Sequence, residues 1–363
     1  MQGADAVRHP LIEIAGRPIG PGHPPYVIAE LSGNHNGRLE RALALMEAAA
    51  AAGADAVKLQ TYTADTITID HDGPDFRIEG GPWGGRTLYD LYQEAHTPWE
   101  WHPQLFVKGR ELGVAVFSSP FDATAVAFLE RLGAPAFKIA SFELVDIPLI
   151  RAAARTGKPL IMSTGLADLD DMQRAVEAAR AAGAAGLCLL HCVSGYPTPP
   201  EDCNLRTIAD LAARFPDVVI GLSDHTLGVA VPTAAVALGA AVIEKHVTLA
   251  RSDGGPDAGF SLEPHELRQM IENIGIASRA LGAPSYRLED SERGNIQFRR
   301  SLYVVRDVAA GEPLSPENVR SIRPGHGMPP RLLDRVIGLR AARALARGEA
   351  LRPDMIVGLE PED

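Results

Sequence analysis

The chain has 363 residues, 46% of them hydrophobic, and a formal net charge of -11. That length can bury a large core and suits more than one domain, while the acidic balance excludes nucleic acid as the main partner, because a phosphate backbone needs a basic face. Cys188, Cys192 and Cys203 are too few for a disulfide framework and wrongly spaced for a four-ligand zinc site, which fits a reducing compartment. The opening stretch MQGADAVRHPLIEIAGRPIG has no signal-peptide core and no run reaches membrane-spanning length, so a cytoplasmic protein without a membrane partner is expected.

Taken in chain order, LIEIAGRPIG alternates apolar and polar residues around a turn and predicts a small hairpin. Eight Val- and Ile-rich runs come next: Tyr26 to Leu31, Ala56 to Thr61, Ala115 to Pro120, Ala136 to Ser141, Pro159 to Thr164, Leu187 to Ser194, Val218 to Asp224 and Ala241 to Thr248. Each leads into a polar break and a helical stretch, and eight such units close into a (β/α)8 TIM barrel of α/β class, one end of which the hairpin would plug. A doubly wound sheet is the runner-up, but it calls for a Gly-rich phosphate turn after the first strand, and none is seen. The connection from Tyr62 to Gly113 is long enough to be a lid or binding loop, and TPWE within it reads as a helix start, with Thr97 as N-cap, Pro98 first and Glu100 closing a capping box. LGAPSYRLEDSERGN breaks the repeat. The expected organisation is a barrel with its hairpin over residues 1–285, a linker over 286–298 and a small β-rich domain over 299–363. In that domain RDVAAGEPLSPENV is echoed by RALARGEALRPDMI, which predicts two copies of one unit.

Almost every strand ends in polar residues, and in such barrels chemistry lies at the strand ends. Residues two apart share a strand face, which pairs Lys58 with Gln60, Ser223 with His225, and Glu244 with His246. His225 and His246 on neighbouring strands can meet at a divalent metal, completed by water, substrate or a carboxylate such as Glu143; a pair of hydrogen-bonding histidines without metal is the alternative. Lys58 and Lys138, with the hydroxyls of Ser119, Ser141, Ser163 and Ser223, supply what a phosphate or phosphate ester needs where no Gly-rich loop exists. A desolvated Lys138 also fits a Schiff-base aldolase. Arg323 in IRPGHG offers planar recognition of a sugar amide or carboxylate from the small domain.

The stretches IAELSGNHNGRLERAL, AGADAVKLQTYTADTITID, FKIASFELVDIPLI, HCVSGYPTPPEDCNL, GLSDHTLG, ALGAAVIEKHVTL and SIRPGHGMPP resemble the sialic acid synthase family, and the resemblance spans nearly the whole chain. AELSGNHNG, QTYT, GGPW with LYDLY, and KIASFE point within it to the branch whose acceptor is 2,4-diacetamido-2,4,6-trideoxy-L-altrose, with N-acetylneuraminic and legionaminic acid synthases as the alternative branches. The resemblance implies a TIM barrel followed by an antifreeze-like (SAF) domain, in a domain-swapped homodimer whose SAF domains cover the partner barrels. It implies condensation of phosphoenolpyruvate with an N-acetylated amino sugar and water, loss of phosphate by C–O cleavage, and a divalent metal, usually Mn2+, with Co2+ or Mg2+ as alternatives. By position it assigns Lys58, Ser119, Lys138, Ser141, Ser163 and Ser223 to phosphoenolpyruvate, His225 and His246 to the metal, and Glu30, Gln60, Tyr196 and Asp257 to the sugar. Glu30 or Glu143 would handle the attacking water. Ser194 departs from the family's asparagine two residues before the tyrosine of YPTP, which puts one sugar contact in doubt.

Overall fold

The computed structural model describes residues 10–360, which fall into two compact units divided between Gly282 and Ala283. The first unit opens with the expected hairpin, β1 (Ile12–Ile14) antiparallel to β2 (Arg17–Ile19). The eight runs then give β3 (Tyr26–Glu30), β4 (Ala56–Thr61), β5 (Ala115–Pro120), β6 (Phe137–Ile139), β7 (Leu160–Ser163), β8 (Leu187–Cys192), β9 (Val219–Asp224) and β10 (Val242–His246). All pair in parallel in chain order, and β10 closes on β3 with His246 opposite Glu30. Five of the eight runs, those of β3, β6, β7, β8 and β10, shorten at their C-terminal ends where the chain turns into loops; after β6, for example, Ser141–Glu143 forms a 3-10 turn.

Helices return the chain after each strand, at Leu39–Ala52, His102–Leu112, Ala123–Arg131, Ile147–Ala154, Leu169–Ala182, Thr207–Arg214, Ala230–Ala237 and Pro264–Leu281. Their ends are set by local chemistry. Asp122 accepts from the amides of Thr124 and Ala125, Asp168 and Asp171 form a reciprocal capping box, and Gly183 ends that helix at φ 99°. The expected helix start at Thr97 is corrected: a 3-10 turn, Trp99–Trp101, intervenes and the helix proper begins at His102. Thr97 is instead buried, with its hydroxyl 3.3 Å from His35 Nε2, so tertiary contact claims the side chain that the capping pattern needed.

Strand parity divides the core. Val27, Ala29, Val57, Leu59, Leu160 and Met162 pack outward against the helices, while Tyr26, Ile28, Phe117, Ile161, Leu190 and Val242 pack inside the barrel. Ile12, Ile14 and Ile19 of the hairpin belong to the inner cluster and floor the barrel beneath the strand starts. Gly221 sits inside as well, and a Cβ there would lie 2.5 Å from Val242 O and 2.6 Å from Leu190 Cδ2, so β8, β9 and β10 can close only around glycine.

The second unit contains β11 (Ser301–Val304) against β12 (Val319–Ile322) and β13 (Arg340–Ala341) against β14 (Ile356–Val357). The sequence echo is structural. Tyr303 faces Arg320 as Arg340 faces Val357, and the equivalent residues Val308 and Leu345 exchange both backbone hydrogen bonds at 2.9 Å, as a local two-fold axis requires. Glu312 accepts from the Ala309 amide and Glu349 from the Ala346 amide, around Gly311 and Gly348 at φ 79° and 93°. The expected linker contains a 3-10 helix, Asp290–Phe298. No helix among the described residues is long and apolar enough to cross a membrane.

Candidate active site

The parity that fills the barrel with Tyr26, Phe117 and Ile161 lower down carries Glu30, Lys58, Ser119, Lys138, Ser163, Ser223 and Glu244 into its top layer, all buried. Glu244 is the hub: its Oε1 lies 3.5 Å from Lys58 Nζ, 3.4 Å from Lys138 Nζ and 3.3 Å from Ser223 Oγ, which donates to it. Burial alone would raise this carboxyl, but Lys138 and Lys58 bring it below the ordinary value. Burial lowers Lys138, with Glu244 opposing, whereas Glu244 and Glu30 overcome burial at Lys58 and raise it. Lys58 also lies 2.8 Å from Glu30 Oε2 and donates to Ser119 Oγ at 3.2 Å.

Above this layer opens a cavity of about 470 Å³. Of the residues singled out from sequence, Lys58, Gln60, Lys138, Ser141, Glu143, Ser163, Tyr196, Ser223, His225, His246 and Asp257 line it. Glu30 and Ser119 do not. Glu30 is fully buried, its Oε1 accepting from Gln60 Nε2 at 2.9 Å and from the Ser32 amide at 3.0 Å, so its carboxylate is committed to the wall. Arg323 is exposed in the second unit, directly after β12. Ser163 Oγ, Glu143 Oε2 and Glu244 Oε2 are buried without hydrogen-bond partners, as expected where a polar ligand binds.

The two imidazoles converge, with ring centroids 5.3 Å apart. His225 Nδ1 donates to Val193 O at 3.0 Å, which leaves Nε2 as the nitrogen open to a ligand. His246 is held well below the ordinary histidine value by burial, then by the charges of His225 and Lys58, and its Nδ1 is buried without a hydrogen-bond partner. Asp257 Oδ2 lies 3.7 Å from that nitrogen and accepts from Ser32 Oγ. Burial lowers His225, but Cys192 and the Val193 carbonyl raise it above the ordinary value, so a divalent cation would displace the proton of its Nε2; with His246 that gives two imidazole nitrogens, a donor set that fits such a cation. Among the described residues no group of three or more His, Cys, Asp and Glu is arranged around one point, so such a cation would take its remaining positions from water and substrate.

Tyr196 stacks obliquely over His225 at 4.5 Å and meets Trp83 at 5.5 Å. Glu143 is raised to about 7 by burial, with Lys138 opposing, and Asp257 to about 7 by burial and Glu30. The sequence reading missed Ser32, Trp83, Tyr62 and Tyr92 and did not single out Glu244 as a site residue. Glu244 had a signal, since it sits two residues before His246 on the same face. Tyr62, Trp83 and Tyr92 fall in the QTYT, GGPW and LYDLY stretches, but spacing gave them no site role, because the segment after β4 does not follow the repeat.

Beneath the long loop, His102 Nε2 meets Thr61 Oγ1 at 2.8 Å and Thr61 Oγ1 meets Ser118 Oγ at 2.6 Å, tying the segment after Tyr62 to the outside of β4 and β5. Burial lowers both His35 and His102 from 6.5 to about 4. The unfolded chain therefore binds more protons between those values, and stability present above 6.5 is lost as pH falls toward 4. The expected slope is about 2.7 kcal/mol per pH unit for the two together. Glu143 and Asp257, raised to about 7, contribute with the opposite sign, so the histidine part is read by difference: the change in stability from pH 7 to pH 5 by urea unfolding should shift in His102→Gln, toward less loss, by about half of the two-histidine contribution.

A closed eight-stranded barrel with two lysines, hydroxyls and paired imidazoles at the carboxyl ends of its strands defines a TIM-barrel enzyme for a small anionic substrate. The chain belongs to the NeuB family, whose model matches residues 45–286, and residues 299–357 match the SAF domain. It is 44% identical over 327 residues to the pseudaminic acid synthase of Campylobacter jejuni serotype O:2, covering 90% of this chain and 95% of that one. The pseudaminic acid synthase of Helicobacter pylori is 41% identical, covering 92% of this chain and 98% of that one. Among solved structures, the N-acetylneuraminic acid synthetase of Leptospira borgpetersenii superposes with a TM-score of 0.71 at 31% identity, covering 80% of this chain and 96% of that chain.

Proposed function

We propose that this protein condenses phosphoenolpyruvate with 2,4-diacetamido-2,4,6-trideoxy-L-altrose and water to give pseudaminic acid and phosphate. The observation that carries the reading is one cavity presenting Lys58, Lys138 and unpartnered Ser163 beside His225 and His246, in a chain 41% to 44% identical to three pseudaminic acid synthases.

Lys58 and Lys138 with Ser141, Ser163 and Ser223 hold the phosphate and carboxylate of phosphoenolpyruvate. Ser119 acts on this group through its bond with Lys58. His225 and His246 would hold a divalent cation, Mn2+ with Co2+ or Mg2+ as alternatives, which when bound would polarise the sugar aldehyde oxygen. Tyr196, Gln60 and Asp257 orient the acceptor so that carbon 3 of phosphoenolpyruvate forms the new bond to the aldehyde carbon. Water adds at carbon 2, and the C–O bond to phosphate breaks. Glu143, poised near 7 beside Lys138, takes the proton of that water; Glu30, tied to Lys58, Gln60 and the Ser32 amide, sets the charge of Lys58 instead. Arg323 reaches the acceptor amide across a homodimer, from the SAF domain of one protomer to the barrel of its partner. A cytoplasmic location follows from these soluble substrates.

Mass spectrometry of products formed from phosphoenolpyruvate with the altrose derivative, its legionaminic acid counterpart and N-acetylmannosamine tests the reading. Preference for the altrose derivative is expected, and preference for N-acetylmannosamine would overturn it. Trapping of pyruvate on Lys138 by borohydride would support an aldolase instead. The chelated protein should take up about one Mn2+ per chain by electron paramagnetic resonance, and His246→Ala should weaken that uptake at least about tenfold.

A further inference from the structure

We infer that the wall formed by Ile67, Ile78, Leu88 and Leu91 is a subsite for the methyl group at carbon 6 of the acceptor, and that it rejects acceptors bearing a hydroxymethyl there. The inference rests on the proposed acceptor class. The polar residues lining the cavity come mainly from the ends of the barrel strands and the turns after them. This wall comes entirely from the segment between β4 and the helix His102–Leu112.

Chemistry fixes the direction of the sugar. Its aldehyde carbon must lie beside His225 and His246 and the two lysines, so its sixth carbon, the far end of the chain, points away from that cluster. Trp83 and Tyr196 stand on the histidine side, linked by ring contacts of 5.5 Å between themselves and 4.5 Å from Tyr196 to His225. The indole N–H of Trp83 is already given to Pro256 O at 2.9 Å, so it offers nothing to a sugar hydroxyl. Ile67, Ile78, Leu88 and Leu91 line the same cavity from a segment that carries none of its lysines or histidines, and their side chains present only carbon. A methyl group is well matched there, whereas a hydroxyl entering would lose water without gaining a partner.

The wall is also held in place, which a specificity surface needs. Arg86 Nε donates to Asp90 at 2.9 Å and Arg86 Nη1 lies 2.8 Å from Glu94, bracing the helix Leu88–Ala95, while Ile78 exchanges backbone hydrogen bonds with Arg86 and Gly85 at 2.9 Å. Tyr62 meets Tyr92 edge-on at 5.6 Å and ties that helix to the end of β4.

The test measures kcat/KM on the full-length protein, with phosphoenolpyruvate and Mn2+, for 2,4-diacetamido-2,4,6-trideoxy-L-altrose and for its analogue carrying a hydroxyl at carbon 6. The unmodified protein is expected to favour the methyl sugar by roughly 10- to 100-fold. Ile78→Thr and Ile67→Thr, which each place a hydroxyl in the wall, should bring the ratio below about fivefold while leaving KM for phosphoenolpyruvate unchanged. Equal use of the two sugars by the unmodified protein, or an undiminished ratio in both variants, overturns the subsite. Turnover of neither sugar alongside brisk use of N-acetylmannosamine overturns the acceptor assignment and the subsite with it.

Discussion

Glu244→Gln is expected to destabilise the free protein by about 3–5 kcal/mol, because it leaves two buried ammonium groups facing each other without their shared counter-charge. Lys58 and Lys138 are 3% and 2% exposed, and each lies within 3.5 Å of Glu244 Oε1. Lys58 retains Glu30, but Lys138 has no other carboxylate in ion-pair contact among the described residues. Lys138 is already lowered by burial, and losing Glu244 should lower it further. A phosphate group entering the cavity supplies the missing negative charge, so inorganic phosphate or phosphoenolpyruvate should recover a larger share of stability in the variant than in the native protein. Urea unfolding with and without 10 mM phosphate, roughly the range in which a weak site saturates, checks both halves. A variant as stable as native, or one indifferent to phosphate, would show that Glu244 does not neutralise the lysine pair.

Lys245→Met should produce a loss of similar size by another route. Lys245 and Asp224 occupy the strand faces opposite to Glu244 and Ser223, pair at 2.5 Å, and are 0% and 3% exposed. Lys245 Nζ also donates to Thr226 O, while Asp224 accepts from the Thr226 amide and hydroxyl, each at 3.1 Å. This ion pair sets the turn that carries His225. Removing the lysine alone strands a buried carboxylate, at a cost of about 3–5 kcal/mol; removing both charges in Lys245→Met with Asp224→Leu should restore most of that stability. Activity should not recover with it. With the Thr226 contacts gone, His225 loses its placement, and kcat/KM in the double variant is expected to stay at least about tenfold below native. Recovery of both together would mean that the pair serves the fold and not the imidazole.

The barrel was legible from sequence because its signals are local and repeated: eight apolar runs, eight polar breaks, and a parity that places Lys58, Lys138, Ser223 and Glu244 on the inner face without knowledge of the fold. What parity does not supply is height and depth. Glu30 shares the inner face with Lys58, yet it ends up committed to the wall because the Ser32 amide and Gln60 claim its carboxylate. Thr97 fits a capping pattern and yet is spent on His35. The wall of Ile67, Ile78 and Leu88 was not foreseen, since a loop of that length folds by contacts with residues such as Pro256 that lie far along the chain. The resemblance to known synthases assigned the reacting groups their roles. Spacing and strand-end position had already brought out Lys58, Lys138, the serines and the pair His225 and His246; the resemblance added Asp257 and named the reaction.

The isoleucine floor has a practical corollary. Because Ile12, Ile14 and Ile19 stopper the end of the barrel where strands begin, the chain enters the first unit at the pole opposite its reactive opening. A peptide handle ahead of Pro10 would therefore tether that unit to a bead or electrode with its opening turned toward the liquid, leaving the route for incoming sugar unobstructed.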